Sequence, residues 1–261
     1  MINTQRKHHG RIIDTSVRID TSPHRAWRAW ADPQHIANWF VDRAEGVARP
    51  GEVMTWFFDT FNYRQPVPIV EAEPDKTFVI GSGDHPGPQG LPYLMEITIS
   101  QESGETVVHL VNSGFSHDAA FDDEFEGVVS GWDMALATMK YWLEHHGDSR
   151  RRHRIVIRPA EYSYDALRPL FRESGVRNHW LKPLLTADAD VLADTGREVL
   201  LAWPQREAVL GLKAFRMGPQ PVVALDFSTW SADLDMSRLE GELEAAVTRL
   251  TDALRAARAA Q

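Results

Sequence analysis

Hydrophobic and polar residues follow one another along this chain in two rhythms, with periods near two and near 3.6. Residues 11–20 (RIIDTSVRID) place Val17 and Ile19 on one face and Arg18 and Asp20 on the other, which predicts an opening strand. Ser22-Pro23 reads as a helix N-cap with proline at the first helical position, and Ala26, Trp27 and Trp30 supply a short apolar stripe. Asp32-Pro33 repeats the signal, so a second short helix is expected through Ile36 to about Trp39-Phe40. From Gly51 to Phe115 the period is two. Segments 52–58, 67–72, 77–81, 92–100 and 105–112 are rich in Val, Ile, Phe, Tyr and Thr and are bounded by Pro, Gly, Asp and Ser, the pattern of a meandering antiparallel sheet. Tyr93, Met95, Ile97 and Ile99 share one face; Val108, Leu110 and Asn112 turn inward and His109 outward. At about 123–145 the helical period takes over, and Phe125, Val128, Val129, Trp132, Ala135, Leu136, Met139, Trp142 and Leu143 form a wide apolar stripe that must lie across the sheet.

The same order begins again after residue 150. Residues 154–158 (RIVIR) predict a strand, Ser163 an N-cap and 164–173 a helix, which Pro169 is expected to kink or shorten. Ser22 to Phe40 maps onto Ser163 to Leu181 at an offset of 141, with Trp30 on Phe171 and Trp39 on Trp180. Strands follow at 197–203, 207–215 and 221–228, and a last amphipathic helix carries Leu239, Leu243, Val247, Leu250 and Leu254. There Glu126-Gly127 maps onto Glu240-Gly241 at an offset of 114, so the second pass is 27 residues shorter. That loss corresponds to about two strands with their turns. The reading is a tandem repeat, 10–146 and a shortened 154–261, against the alternative of an unrelated helical and hairpin extension.

Composition narrows the function classes. With 261 residues, 43% of them hydrophobic, the chain has room for one large or two small domains, and the absence of cysteine excludes disulfide staples, a thiolate nucleophile and Cys-based zinc sites. No apolar run approaches the roughly 20 residues of a membrane span, and no apolar segment follows the basic opening residues, so a cytoplasmic protein is expected. Residues 1–147 hold 11 Lys and Arg against 21 Asp and Glu, a net of −10, whereas 148–261 hold 17 against 16. An acidic first half repels phosphate backbones and argues against nucleic-acid binding. The basic run Arg150-Arg151-Arg152-His153-Arg154, after Gly147-Asp148-Ser149, reads as a solvated linker.

Residues 10–146 resemble the activator-of-Hsp90-ATPase-like branch of the START/Bet v-type superfamily, often labelled SRPBCC. The resemblance rests on Ser22-Pro23-His24-Arg25-Ala26-Trp27, on Asp32-Pro33 leading to Trp39-Phe40, on Val70-Glu71-Ala72-Glu73-Pro74-Asp75-Lys76, on Ser113-Gly114-Phe115 and on Gly131-Trp132. It implies an α+β helix-grip fold, an antiparallel sheet wrapped on a long C-terminal helix, with a cavity that relatives use for lipids, sterols, polyketides or other apolar molecules. Eukaryotic Hsp90 activators carry a separate N-terminal chaperone-stimulating domain with no visible counterpart here, so co-chaperone activity is not expected from the resemblance.

Candidate chemistry is sparse. His8-His9 and His145-His146 are adjacent pairs whose side chains diverge, so neither predicts a metal site. There is no HExxH, glycine-rich phosphate loop or GxSxG, and no cofactor is predicted. Asp122, Asp123, Glu124 and Glu126 read as helix-start residues. An apolar ligand is expected to meet Trp27, Trp39, Tyr63, Tyr93, Asn112, Trp132, Met139 and Trp142, with Asp59 as a further polar candidate. Three readings stay open: an apolar small-molecule binder, a cyclase- or hydratase-type enzyme using the same cavity, and an interaction module presenting the acidic face. Binding is expected only in 10–146, with 154–261 acting as scaffold, lid or oligomer contact.

Overall fold

The computed structural model describes residues 11–81, 93–147, 149–182, 184–185 and 189–259. The chain divides into two compact units, Met1–Arg150 and Arg151–Gln261. Among the described residues no helix is long and apolar enough to cross a membrane.

In the first unit β1 (Ile13–Ile19) leads into α1 (Pro23–Ala31) and α2 (Pro33–Ile36). Both helices start as their sequences require. Ser22 Oγ accepts from the Arg25 N–H at 3.3 Å, and Asp32 Oδ1 accepts from the Gln34 N–H at 2.8 Å. Then come β2 (Arg43–Glu45), β3 (Val53–Phe58), β4 (Tyr63–Glu73), β5 (Thr77–Gly81), β6 (Leu94–Glu102), β7 (Glu105–Ser113) and the 24-residue α3 (Asp122–His145). The strands form one antiparallel sheet in the order β1-β7-β6-β5-β4-β3-β2, a meander whose first strand closes on its last. β6 alternates as expected, Met95, Ile97 and Ile99 buried and Glu96, Thr98 and Ser100 exposed. α3 crosses against β1 and buries Trp132, Leu136, Met139, Trp142 and Leu143.

The sheet departs from the sequence expectation in two places. β2 is an additional short edge strand, brought against β3 through Gly46, where φ is +105° and a Cβ would lie 2.7 Å from the Val53 carbonyl oxygen. β4 starts four residues before the expected 67, although it contains Pro66 and Pro68. Those prolines pair with β3 only, because β5 joins β4 from Ile69 onward, so the missing N–H groups interrupt no second ladder.

The second unit repeats the order with β8 (Arg152–Pro159), α4 (Tyr164–Arg172), α5 (Ser174–Leu181), β9 (Val191–Asp194), β10 (Val199–Trp203), β11 (Ala208–Met217), β12 (Gln220–Thr229) and the 24-residue α6 (Met236–Ala259). Its five strands run β8-β12-β11-β10-β9, again with first strand on last. The architecture is thus α+β helix-grip in tandem, the second sheet two strands narrower. β9 was not anticipated, and Pro169 does not break α4, which ends one residue short of the expected position. The basic run is also not all linker. Arg152 opens β8 and donates to the carbonyls of Ser231, Ala232 and Leu234 at 3.3, 2.9 and 2.9 Å. The second core is Leu-rich: Leu201, Leu210, Leu212, Val223, Leu225 and Phe227 of the sheet meet Leu239, Leu243, Val247, Leu250 and Leu254 of α6.

Candidate functional site

Three of the residues expected to meet a ligand converge inside the first unit. Asn112 sits on β7 opposite Met95 of β6 and Ile13 of β1 and has no exposed surface. Its Oδ1 accepts from the Trp132 indole Nε1 of α3 at 3.3 Å and from the Tyr93 hydroxyl, just before β6, at 3.4 Å. Its Nδ2 donates to the Leu94 carbonyl at 3.1 Å, which fixes which end of the amide faces the two donors. Strand parity and helix periodicity, acting separately, bring these groups to one point. A buried amide that satisfies two donors and one acceptor is far cheaper than an unpaired one.

The electrostatics favour neutral chemistry. Burial pushes the Tyr93 phenol up to about 12, against a smaller opposing effect of its bond to Asn112. At ordinary pH the hydroxyl is a hydrogen-bonding group and a poor base.

Around this point lies a set of rings. Phe40, in the turn after α2, stacks on Trp132 with centroids 5.2 Å apart and 22° between planes. It meets Trp56 and Phe58 of β3 edge-on at 5.5 and 5.9 Å and stacks on Trp39 at 5.2 Å. Trp39 is anchored by its Nε1 donating to the Ala29 carbonyl at 2.8 Å and touches Trp30 at 4.8 Å. Tyr63 is 54% exposed and stacks on Phe58 at 6.0 Å, so it belongs to the rim. The buried indole N–H groups of Trp30, Trp56 and Trp142 have no acceptor among the described residues.

The remaining candidates lie elsewhere. Trp27 donates to the Thr77 carbonyl at 2.8 Å and ties α1 to β5. Met139 is fully buried in α3, and Trp142 lies edge-on to His35 at 6.0 Å. Asp59 is a surface residue that accepts from Arg43 Nε at 3.5 Å. Phe40 and Trp56 were not among the expected ligand contacts. Phe40 occupies a turn, where no periodicity assigns a face, and Trp56 shares parity with the buried Met54 on β3.

Ionisable groups outside this site tie strands or cap helices. Asp118 Oδ1 accepts from the Ala120 N–H at 2.9 Å, Asp122 pairs with Arg11, and Asp123 and Glu124 lie in the first turn of α3. His145 and His146 both pack on Tyr141, at 4.8 and 5.2 Å, while His8 and His9 lie outside the described residues. In the second unit Asp226 of β12 sits between Lys213 Nζ of β11 at 2.6 Å and His153 Nε2 of β8 at 2.8 Å. Burial raises its pKa, but Lys213 and His153 outweigh that and hold the carboxyl well below the usual range. Among the described residues no cluster of three or more His, Asp or Glu could hold a metal ion.

Comparison with known proteins supplies a family for the first unit. Residues 20–144 match the family described as Activator of Hsp90 ATPase homolog 1-like protein. No curated protein matches the chain. Among solved structures it is similar to the Aha1 dimer from Colwellia psychrerythraea, at 18% identity over 52% of this chain and 98% of that one, with a TM-score of 0.46. It is also similar to DynU16, from the dynemicin biosynthetic locus, at 14% identity over 96% and 99% of the two chains, TM-score 0.45. CalU16 from Micromonospora echinospora matches at 21% identity over 53% of this chain and 82% of its own, TM-score 0.40.

Proposed function

The first unit belongs to the activator-of-Hsp90-ATPase-like branch of the SRPBCC superfamily, and we propose that it binds an apolar small molecule between its sheet and α3, with Tyr93 and Asn112 as the polar anchor. The observation that carries this reading is the hydrogen-bonded set in which half-buried Tyr93 and buried Trp132 meet on buried Asn112 among aromatic side chains. Ligand sites combine mostly apolar walls with a few placed polar groups, and the side chains gathered here are of that kind. Tyr93 can give its proton to a ligand carbonyl while Asn112 keeps the Trp132 N–H, so a ligand enters without orphaning a buried donor. The raised phenol pKa favours orientation of the ligand over removal of a proton from it.

The test is native mass spectrometry of the full chain purified from its own host, followed by Asn112→Leu. The expected result is a bound apolar mass that the variant loses while its fold, judged by circular dichroism, persists. Absence of any bound mass, together with failure to bind an environment-sensitive apolar probe, overturns the reading. If the bound compound is converted over time and Tyr93→Phe stops conversion but not binding, the enzyme reading replaces it.

A further inference from the structure

A run of ring contacts leads from the surface of the first unit to its buried polar anchor. Tyr63 and Phe58 are register partners on β4 and β3 and stack at 6.0 Å. Phe58 meets Phe40 at 5.9 Å with 89° between planes, and Phe40 lies nearly flat on Trp132. Trp132 then hydrogen-bonds Asn112, which hydrogen-bonds Tyr93. Exposure falls along this run: Tyr63 is exposed, Phe58 and Phe40 are half-buried, Trp132 is buried and Asn112 has no exposed surface.

Phe40 is the step at which the run passes from the sheet to the long helix. Its ring lies nearly flat on Trp132 and perpendicular to Trp56 and Phe58, the offset and edge-to-face geometries that aromatic rings prefer. A flat ring in the same position would keep all three contacts, whereas an aliphatic chain would keep only their dispersion. The buried Trp56 N–H, with no acceptor among the described residues, stands one ring contact away and would gain from a ligand oxygen. The backbone here is held, since Trp39 is fixed to Ala29 and the Phe40 N–H donates to the Ile36 carbonyl at 3.0 Å, so what can leave this position is the Phe40 side chain, by rotation about its own bonds.

We infer that Phe40 gates the proposed site: its ring holds the place in which a planar aromatic ligand bearing a hydrogen-bonding oxygen stacks on Trp132, and it turns aside to admit that ligand. The inference rests on the binding reading above and adds to it the ligand's chemical class and the residue that controls access.

The experiment titrates the full chain with 2-naphthol, using naphthalene and 1-decanol as controls, and follows the Trp132 indole N–H resonance, assigned with Trp132→Phe. The wild-type chain is expected to shift that resonance with 2-naphthol more strongly than with either control. Phe40→Ala is expected to bind 2-naphthol roughly tenfold more tightly, since the ligand no longer displaces the ring contacts of Phe40. Phe40→Leu, which keeps bulk without a ring face, should fall between the two and serves if the alanine variant does not fold. Binding by the wild-type chain that neither variant improves overturns the gate and leaves the pocket standing. No shift in any folded variant overturns both. Preference of Phe40→Ala for 1-decanol overturns the aromatic assignment.

Discussion

In each unit a tryptophan closes the corner between the two short helices with the same bond. Trp39 Nε1 donates to the Ala29 carbonyl at 2.8 Å, and Trp180 Nε1 donates to the Leu170 carbonyl at 2.9 Å, both partners displaced by 141 residues. Ser22 and Ser163 cap the preceding helices alike, and Asn62 and Glu207 take the same left-handed conformation, φ +46° and +47°, in the hairpins that follow β3 and β10. α3 and α6 are each 24 residues long. Inside this shared frame the side chains part company. Asn112 pairs with Ile13 on the first strand, and Phe227 pairs with Arg154, again 141 residues on, so Phe227 stands in the place of Asn112. By the same hairpin register Ala208 stands for Tyr93, and along the helix Ala246 stands for Trp132. A polar anchor between two large rings has become one large ring between two methyl groups. The frame is shared, and at these three positions the first unit's hydrogen-bonded set gives way to close apolar packing in the second.

Exchanging the deciding residues is the strongest way to break this comparison. Phe227→Asn puts the first unit's amide into the second core, where alanines stand at the positions of Tyr93 and Trp132, and leaves a void edged by Trp203, which meets Phe227 at 5.9 Å. Loss of the ring plus an unpaired amide should cost about 4 kcal/mol. Urea denaturation of the full chain, with amide exchange to identify the second unit, measures it. A cost below about 1 kcal/mol would mean that the second interior adapts, and the contrast between site and core would fall.

Trp132→Ala comes next. It removes a stack on Phe40 and a donor to Asn112, and a loss of about 3 kcal/mol is expected, below the Phe227→Asn cost because Phe40 can settle into the space. Destabilisation under about 1 kcal/mol in the same assay would show that Trp132 borders a compliant pocket.

Why these residues could be found in the sequence, and others could not, follows from what periodicity encodes. Period two fixes which face of β7 Asn112 occupies, and period 3.6 puts Trp132 on the buried stripe of α3. Neither period gives depth. Trp142 shares the stripe with Trp132 yet lies ten residues further on, about 15 Å along the helix, beside His35. Phe40 lies in a turn, where no repeat assigns a face, so its bridging role emerges only when β3 and α3 are brought together. β2 and β9 are three and four residues long with mostly exposed side chains, too short for alternation to register. Arg152 reads as linker because charge dominates its neighbourhood, and its pairing with Thr229 of β12 makes it a strand residue whose side chain reaches three carbonyls beyond that strand.

A smaller effect is expected from acid on the second unit. Asp226 titrates well below the ordinary 3.8, so its stabilisation is present above that value and is lost as pH falls through the folded-state pKa. Asp226→Asn should cost about 2 kcal/mol near neutrality, because it leaves Lys213 and His153 facing an amide while both retain some access to water. Denaturation midpoints of wild type and variant should converge as pH drops below 4. Parallel curves would show that the cluster contributes nothing specific to the second sheet.

The smallest effect sharpens the comparison most, because it tests the anchor and not the packing around it. Tyr93→Phe deletes one hydroxyl, and Asn112 Oδ1 keeps the Trp132 N–H, so no buried donor is stranded and the cost at pH 7 should be about 1 kcal/mol. The pH dependence carries the sign of burial. Tyr93 rises from an ordinary 10 to about 12 in the folded chain, so the folded state keeps a proton that the unfolded state gives up between those values. Wild-type stability from this group is therefore complete below pH 10 and declines as pH rises toward 12, whereas the variant has nothing to lose, and the gap between them should close over that range. Absorbance titration at 295 nm should show a late tyrosine ionisation in the wild type that the variant lacks. If Tyr93 instead ionises near 10, water reaches the hydroxyl freely, the anchor is no drier than the surface, and proton transfer by Tyr93 becomes a better account of the site than orientation of a ligand.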